Sequence, residues 1–350
     1  MKIRLYDKDF NALTTLLISA GASDYNNLEY KTSLGEVGQA SFLVRLDNPK
    51  ATTANLRHYN KVEILDDDDT PRWVGVIVKK QVRLNQVNVS CYSLLHLLEK
   101  RLTGDEDHAT GAAGTKVAAL LAATNADQVT GITAGTINVS TSVDITFNRS
   151  SLLQAIDSLA QATNAQMHVD AERQLHFLPQ VGQDLSAIVT FRYNIDQIQN
   201  ANILEFDVQD IGTEIASKTY GKADVLASIQ EDSTLRTTFG LLEQSKNFRE
   251  PNDQATLDAL TAKANQADQF SPNITLSPKE ADNFEVGDLV TVTIKNRLID
   301  IEDVYQVLEK QVNFTNAQKR ISVRISSNPT DLVRIISKLK RNVDLLNREL

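Results

Sequence analysis

Apolar and polar residues alternate through most of the first hundred positions. Lys2–Asp7 places Ile3 and Leu5 on one face, and Asn27–Thr32 reads as a further strand. In Ala40–Leu46, Phe42, Val44 and Leu46 share a face, and Asp47, Asn48 and Pro49 then stop the strand, because Asp and Asn favour turns and proline cannot donate to a ladder. Lys61–Leu65 puts Val62 and Ile64 inward and is followed by the turn Asp66–Asp69 before Pro71. Trp73–Val78 and Val87–Tyr92 read as two arms of a long hairpin, after which Ser93–Arg101 switches to helical spacing. Short strands separated by turns predict a small barrel or sandwich over residues 1–101.

The period changes at about residue 102. Thr103–Gly114 is polar and contains glycine, a domain boundary, and Thr115–Ala123 is helical with Val117, Leu120 and Leu121 apolar. Short strands at Ile132–Val139 and Val143–Phe147 precede a helix at Ser150–Thr163. Its N-cap is Ser150 or Ser151, and Leu152, Leu153, Ile156, Leu159 and Ala160 form the buried stripe. Ala165–Val169 and Gln174–Leu178 then read as a hairpin, which makes 102–195 an inserted α+β domain. Strands return over 196–330: Ile203–Val208, Ile215–Tyr220, Thr237–Leu242, Asn273–Leu276, Leu289–Ile294, Val304–Phe314 and Arg320–Ile325. A helical insertion at about 245–280 interrupts them, with a helix at Asp253–Ala267 capped by Asn252 or Asp253. No sequence repeat at fixed period links this region to the first.

Residues 331–350 carry a different signal. Leu332, Ile336, Leu339, Val343, Leu346 and Leu350 fall at alternating spacings of four and three, the a/d repeat of a coiled-coil seam. A helix of about 30 Å with one narrow apolar stripe is marginal alone in water. The stripe packs on the chain's own body or on copies of itself, and the second choice makes these six residues a candidate oligomer interface.

Composition narrows the chemistry. A net charge of -9 argues against general nucleic-acid binding, which rests on Lys and Arg. Cys91 is the only cysteine, so an intramolecular disulfide and a cysteine-based zinc site are both excluded. The N-terminus lacks the apolar core of a signal peptide, and no stretch approaches eighteen uninterrupted apolar residues. Asp66–Asp69 lacks the ligand spacing, glycine and terminal Glu of an EF-hand and reads as a solvated turn. Of five scattered histidines, His168 and His176 can face each other across a hairpin. No nucleophile elbow, P-loop or dinucleotide fingerprint occurs. The expectation is no enzyme, no catalytic residues, no metal and no cofactor.

An ordered string of short segments resembles the hub family of phage tails and baseplates, whose fold is shared with the hubs of contractile injection systems. The segments are Gly38–Val44 leading to Leu46–Pro49, Lys61–Ile64, Arg72–Ile77 and Val89–Leu95 to Arg101, then Leu175–Pro179 with Gly182 and Asp184, and Val286–Val290. The resemblance implies two tube-like β-barrel domains, 1–101 and 196–330, with the 102–195 domain outside and the heptad helix at the C-terminus. The fold class is therefore α+β, mostly β. It implies a homotrimer that joins a tail tube or distal tail ring to tip, spike or fibre proteins. DNA passes through its lumen without specific binding, and part of the net negative charge is expected to line that lumen. The protein is expected in the virion, at the tail tip or baseplate, after synthesis in the host cytoplasm. Many relatives continue into a lysin or receptor-binding region, whereas these residues stop at Leu350. Three other readings compete: a hexameric distal tail ring or other baseplate component, a tail-associated cell-wall hydrolase with 102–195 as its active domain, and a carbohydrate-binding adhesin.

Overall fold

The computed structural model describes residues 1–19, 22–104, 107–209, 216–248, 251–267, 273–278, 283–297, 299–315 and 318–326. The first lobe comprises β1 (Lys2–Tyr6), β2 (Ala12–Ser19), β3 (Ala22–Ser23), β4 (Tyr25–Ser33), β5 (Gln39–Arg45), β6 (Lys61–Leu65), β7 (Pro71–Val82) and β8 (Gln86–Ser93), followed by α1 (Leu95–Glu99). An α+β layer follows: β9 (Asp107–Ala112), α2 (Ala113–Asp127), β10 (Thr133–Ile137), β11 (Ser142–Phe147), α3 (Leu152–Thr163), β12 (Gln166–Val169) and β13 (Gln174–Leu178). The second lobe starts with β14 (Thr190–Asn194), a 3-10 turn and β15 (Ile203–Gln209). It is then interrupted by β16 (Lys218–Ala223), β17 (Leu226–Glu231), α4 (Ser233–Phe239), β18 (Glu243–Asn247) and α5 (Gln254–Ala267). It resumes as β19 (Asn273–Pro278), β20 (Leu289–Lys295), β21 (Asp300–Thr315) and β22 (Gln318–Ser326).

The mostly-β α+β class holds, with one difference in detail: neither lobe closes into a barrel, and both belong to one 14-stranded sheet. The lobes meet where β21 pairs antiparallel with β4, Val312 opposite Tyr30 and Phe314 opposite Leu28. One apolar core runs through both, from Ile3, Phe42 and Val62 in the first lobe to Val292, Val312 and Val323 in the second. A second core lies under the α+β layer and takes Val74, Val76, Leu95 and Leu98 from the first lobe. Trp73 and Ile77 of the same strand face the first core. A strand buried on both faces explains the unbroken apolar run of β7. Gly75 makes that crossing fit, since a Cβ there would lie 2.1 Å from the Tyr92 carbonyl oxygen and 2.2 Å from the Trp73 ring.

The two lobes repeat one topology. In the second, the sheet order is β15-β19-β22-β21, with β20 on β21 and β14 on β20. In the first it is β4-β5-β8-β7-β6-β1-β2. Pairing strands by chain order, β2 with β14, β4 with β15, β5 with β19 and β6–β8 with β20–β22, makes these orders identical except that β1 is interposed and the short β3 follows β2. The registers agree at the central pairs of the matching strands. Tyr30 faces Ala40 as Val208 faces Ile274, and Lys61 faces Val76 as Leu289 faces Gln306. The register also slips at matching places, between Ile77 and Lys79 on β7 and between Val307 and Glu309 on β21. Beside each slip a loop residue with positive φ bonds the strand: Tyr59 (φ 64) donates to Ile77 and Gly287 (φ 101) to Val307, both at 2.8 Å.

Several local expectations hold. Ser151 caps α3, accepting from the Gln154 amide at 3.2 Å, and Asp253 caps α5, accepting from the Thr256 amide at 2.9 Å. Others do not. Thr237–Leu242, expected as a strand, is the end of α4 and a loop. The strands Ala12–Ser19, Asp107–Ala112 and Thr190–Asn194 were not evident from alternation. The expected strand Ile215–Tyr220 overlaps β16, which sits in a separate three-stranded sheet with β17 and β18. α5 brings Leu260 into the second core.

Candidate assembly surfaces

Each lobe curls until β2 comes beside the start of β4, or β14 beside the start of β15, and a side chain bonds across the remaining gap. In the first lobe Asp24, just before β4, donates its amide to the Leu17 carbonyl (2.8 Å), and its carboxylate accepts from the Leu17 amide (2.8 Å). In the second lobe Asn202, just before β15, donates its amide to the Arg192 carbonyl (3.0 Å) and accepts from the Arg192 amide on Oδ1 (2.6 Å). Both side chains stand in for a strand carbonyl. The carbonyl two residues earlier is also satisfied in both: Thr190 O by Asn202 Nδ2 (2.7 Å), and Thr15 O by Lys50 Nζ (2.8 Å), which itself bonds Asp24 at 2.7 Å. Burial opposes the Asp24 charge, but Lys50, the Leu17 amide and Asn48 outweigh it and hold the carboxyl below its ordinary range.

The junction between lobes is apolar on its core face and paired by charge on the other. Leu28, Tyr30 and Val312 are buried. Outside, Lys31 meets Glu309 at 3.1 Å, Arg324 meets Glu309 at 3.3 Å, and Gln311 donates to Glu29 at 2.6 Å. The α+β layer is tied to the second lobe by a buried amide pair. Gln166 donates to Gln306 Oε1 at 2.9 Å, while Gln306 Nε2 donates to the Val181 and Gly287 carbonyls at 3.0 and 2.7 Å. Such a network, fully satisfied, fixes one relative placement.

A cavity of about 470 Å³ opens where the two lobes and the α+β layer meet, and His168 and His176 line it. As expected they face each other across the β12–β13 hairpin. His176 accepts from the Thr136 amide on Nδ1 (3.1 Å), so its hydrogen sits on Nε2 and is donated to Asp170 (2.9 Å). Burial pushes the His168 ring down to about 4, with Asp170 opposing and His176 adding, so the ring is neutral at pH 7. Among the described residues no cluster of three or more His, Cys, Asp or Glu side chains could hold a metal ion.

The Asp66–Asp69 turn is tied internally and to neighbouring cations. Asp66 accepts from the Asp68 and Thr70 amides at 3.0 and 2.8 Å and from Arg72 at 2.8 Å. Asp69 pairs with Lys2 at 3.1 Å. Cys91 is buried, and burial raises its thiol pKa. The candidate seam residues Leu332, Ile336, Leu339, Val343, Leu346 and Leu350 lie outside the described residues. No helix among the described residues is long and apolar enough to cross a membrane. The closures at Asp24 and Asn202 leave no mark in the sequence, because an Asp or Asn before a strand is a common turn signal.

This architecture is that of phage tail proteins. The tail protein of Neisseria meningitidis superposes with a TM-score of 0.66 at 13% identity, covering 94% of this chain and 98% of that one. Prophage tail protein gp18 of Listeria monocytogenes gives 0.62 at 13% identity over 98% and 100%. A type VI secretion component of E. coli, described as similar to the T4 tail proteins gp27 and gp5, gives 0.54 at 7% identity over 86% and 73%. At these identities the likeness is one of fold. No family model matches the sequence, and no curated protein matches it.

Proposed function

We propose that this protein is the hub of a phage tail tip or baseplate: a homotrimer that joins the sixfold tail tube or distal tail ring to a threefold tip. The observation that carries this reading is the duplication, two lobes of one topology fused edge to edge in one chain. Three such chains supply six similar lobes, which can meet a sixfold ring through near-equivalent contacts while keeping threefold symmetry for the tip. The domains are then 1–101, 102–195, 196–330 and the seam helix 331–350, with the α+β layer outside the ring. Acidic side chains toward the lumen would repel DNA and keep it mobile during ejection. The role is structural and needs no catalytic residue.

Light scattering of the purified protein at several concentrations tests this reading, with a trimer expected. A stable hexamer would favour a distal tail ring, and clearing of peptidoglycan in a zymogram would overturn the non-enzymatic role. If the terminal helices associate with one another, Leu339→Asp with Val343→Asp lowers the trimer to monomer in sedimentation. An intact trimer would place the stripe against the globular body.

A further inference from the structure

The turn between β1 and β2 reaches out of the first lobe to the α+β layer. Asp7 shapes it: its carboxylate accepts from the Asp9 and Asn11 amides at 2.9 Å each and from the Asn11 side chain at 2.8 Å. Phe10 in this turn has φ 65, a backbone conformation that a bulky side chain adopts only where its surroundings fix it. Its ring packs against the second core. The socket that receives it exists because Gly131 has no side chain: a Cβ there would lie 2.2 Å from Phe10 Cε2 and 2.7 Å from Cζ. Two cations lie over the ring, Arg173 of the β12–β13 turn at 4.4 Å from its centre and Lys61 of β6 at 5.3 Å, where the negative face of an aromatic attracts positive charge. What the ring holds is one wall of the junction cavity, since His168–Glu172 line it. The root of the β12–β13 hairpin is pinned by Met167, Leu175 and Phe177 in the second core and by Gln166 on Gln306. The tip is bonded within its own layer: Asp170 accepts from the Gln174 amide at 2.8 Å and from His176 at 2.9 Å, and the Arg173 carbonyl accepts from the Thr133 amide at 2.9 Å. Among the described residues no hydrogen bond or ion pair joins Asp170–Gln174 to the first lobe, and Arg173 over the Phe10 ring is the tie.

We infer that Phe10 is a catch and the β12–β13 tip a lid on the cavity. With the ring seated, the tip is held toward the first lobe and the cavity is closed on that side. With the ring withdrawn, Arg173 is freed and the hairpin bends about its pinned root, opening the cavity to solvent beside Trp73, Leu94 and Leu95, which share its lining. The contact suits reversible use. One ring leaves one socket through a change at a single turn, and cation–π contacts at partly exposed sites are individually weak. The catch belongs to a single chain and holds whether or not the hub reading does.

Hydrogen exchange of the full chain, read by mass spectrometry, tests the catch. Phe10→Ala should raise exchange across Met167–Phe177 by roughly tenfold, as expected for the loss of two cation–π contacts, and leave the β6–β7 and β20–β21 pairs unchanged. Arg173→Met keeps an aliphatic stem beside the ring and removes the cation. It should raise exchange in the same segment by a smaller factor and add little to Phe10→Ala. Phe10→Tyr keeps the ring face and should behave as the unaltered chain. The lid has its own readout, because Trp73 is the only tryptophan and is 3% exposed. Acrylamide should quench its fluorescence more strongly in Phe10→Ala than in the unaltered chain. Should Phe10→Ala fail to fold, Arg173→Met carries both readings. Unchanged exchange in the hairpin would overturn the catch, and so would an equal rise throughout the chain, which would mean that tip and lobe open as one unit. A local rise without added quenching of Trp73 would overturn the lid.

Discussion

The first and second lobes solve the same closure problem with different side chains. In the second, Asn202 satisfies both the Arg192 amide and the Thr190 carbonyl, because an amide carries an acceptor and a donor. In the first, Asp24 can only accept, so Lys50 supplies the missing donor to Thr15 and neutralises the carboxylate. One neutral residue is thus equivalent to a charged pair, and only the pair depends on pH. The lobes differ again at their outer edges, where Val312 is buried and Val82, at the same strand position, is 67% exposed. What is repeated is a set of backbone bonds, and what varies is which side chain completes them.

The largest expected effect comes from placing one charge at two matching positions. Val312→Asp buries an unpaired carboxylate between the lobes and should cost at least about 3 kcal/mol or prevent folding. Val82→Asp at the equivalent exposed site should change subunit stability by less than about 0.5 kcal/mol. Urea melts of both variants check the contrast; equal costs would break the equivalence drawn between the strands.

A second experiment exchanges the closing side chains of the two lobes. Lys50→Ala leaves Thr15 O without its donor and Asp24 without its cation, an expected loss of about 1–3 kcal/mol. Adding Asp24→Asn should recover much of it, since the new amide can donate to Thr15 as Asn202 does to Thr190. The exchange should also change the acid limb of stability. Asp24 has a folded pKa below its ordinary 3.8. Its contribution is therefore complete above that value and is lost as pH falls through the lower, folded one. Denaturant melts from pH 5 down to pH 2 should show less acid loss in the double variant than in the parent.

The smallest effect concerns Lys61, buried where the second lobe has Leu289. Burial depresses its ammonium to about 8, with Asp9 opposing. Between about 8 and its ordinary 10.5 the unfolded chain binds more protons, so this penalty on folding is greatest below pH 8 and fades as pH rises to 10.5. Lys61→Leu should raise the melting temperature at pH 7, with the gain shrinking toward pH 10.5. The Lys61 ammonium also lies 5.3 Å from the Phe10 ring, a contact worth about 0.5–1 kcal/mol that the substitution forfeits.

Much of the β framework was legible because one face of each strand is buried, as at Ile3 and Leu5 or Val62 and Ile64. β2 was not, since ALTTLLIS lacks strict alternation. β14 is short and bounded by a polar turn. The resemblance implied two similar domains, but their residue-level match escaped for a clearer reason. Tyr30 matches Val208, Tyr59 matches Gly287, Lys61 matches Leu289, and an Asp–Lys pair matches one Asn. A hydrogen-bond pattern sets none of these identities, so no repeat survives in the letters. The joining of the lobes through β4 and β21 was equally hidden, because those strands are separated by more than half the chain.

A hub of this kind requires three chains to supply six equivalent lobes to one ring. Averaged end-on electron micrographs of the purified assembly, with its mass measured in parallel, test it most directly. Three chains forming six similar lobes around an open pore are expected, with an α+β layer outside alternate lobes. A three-chain particle joined only through its terminal helices, with its lobes splayed apart, would contradict it.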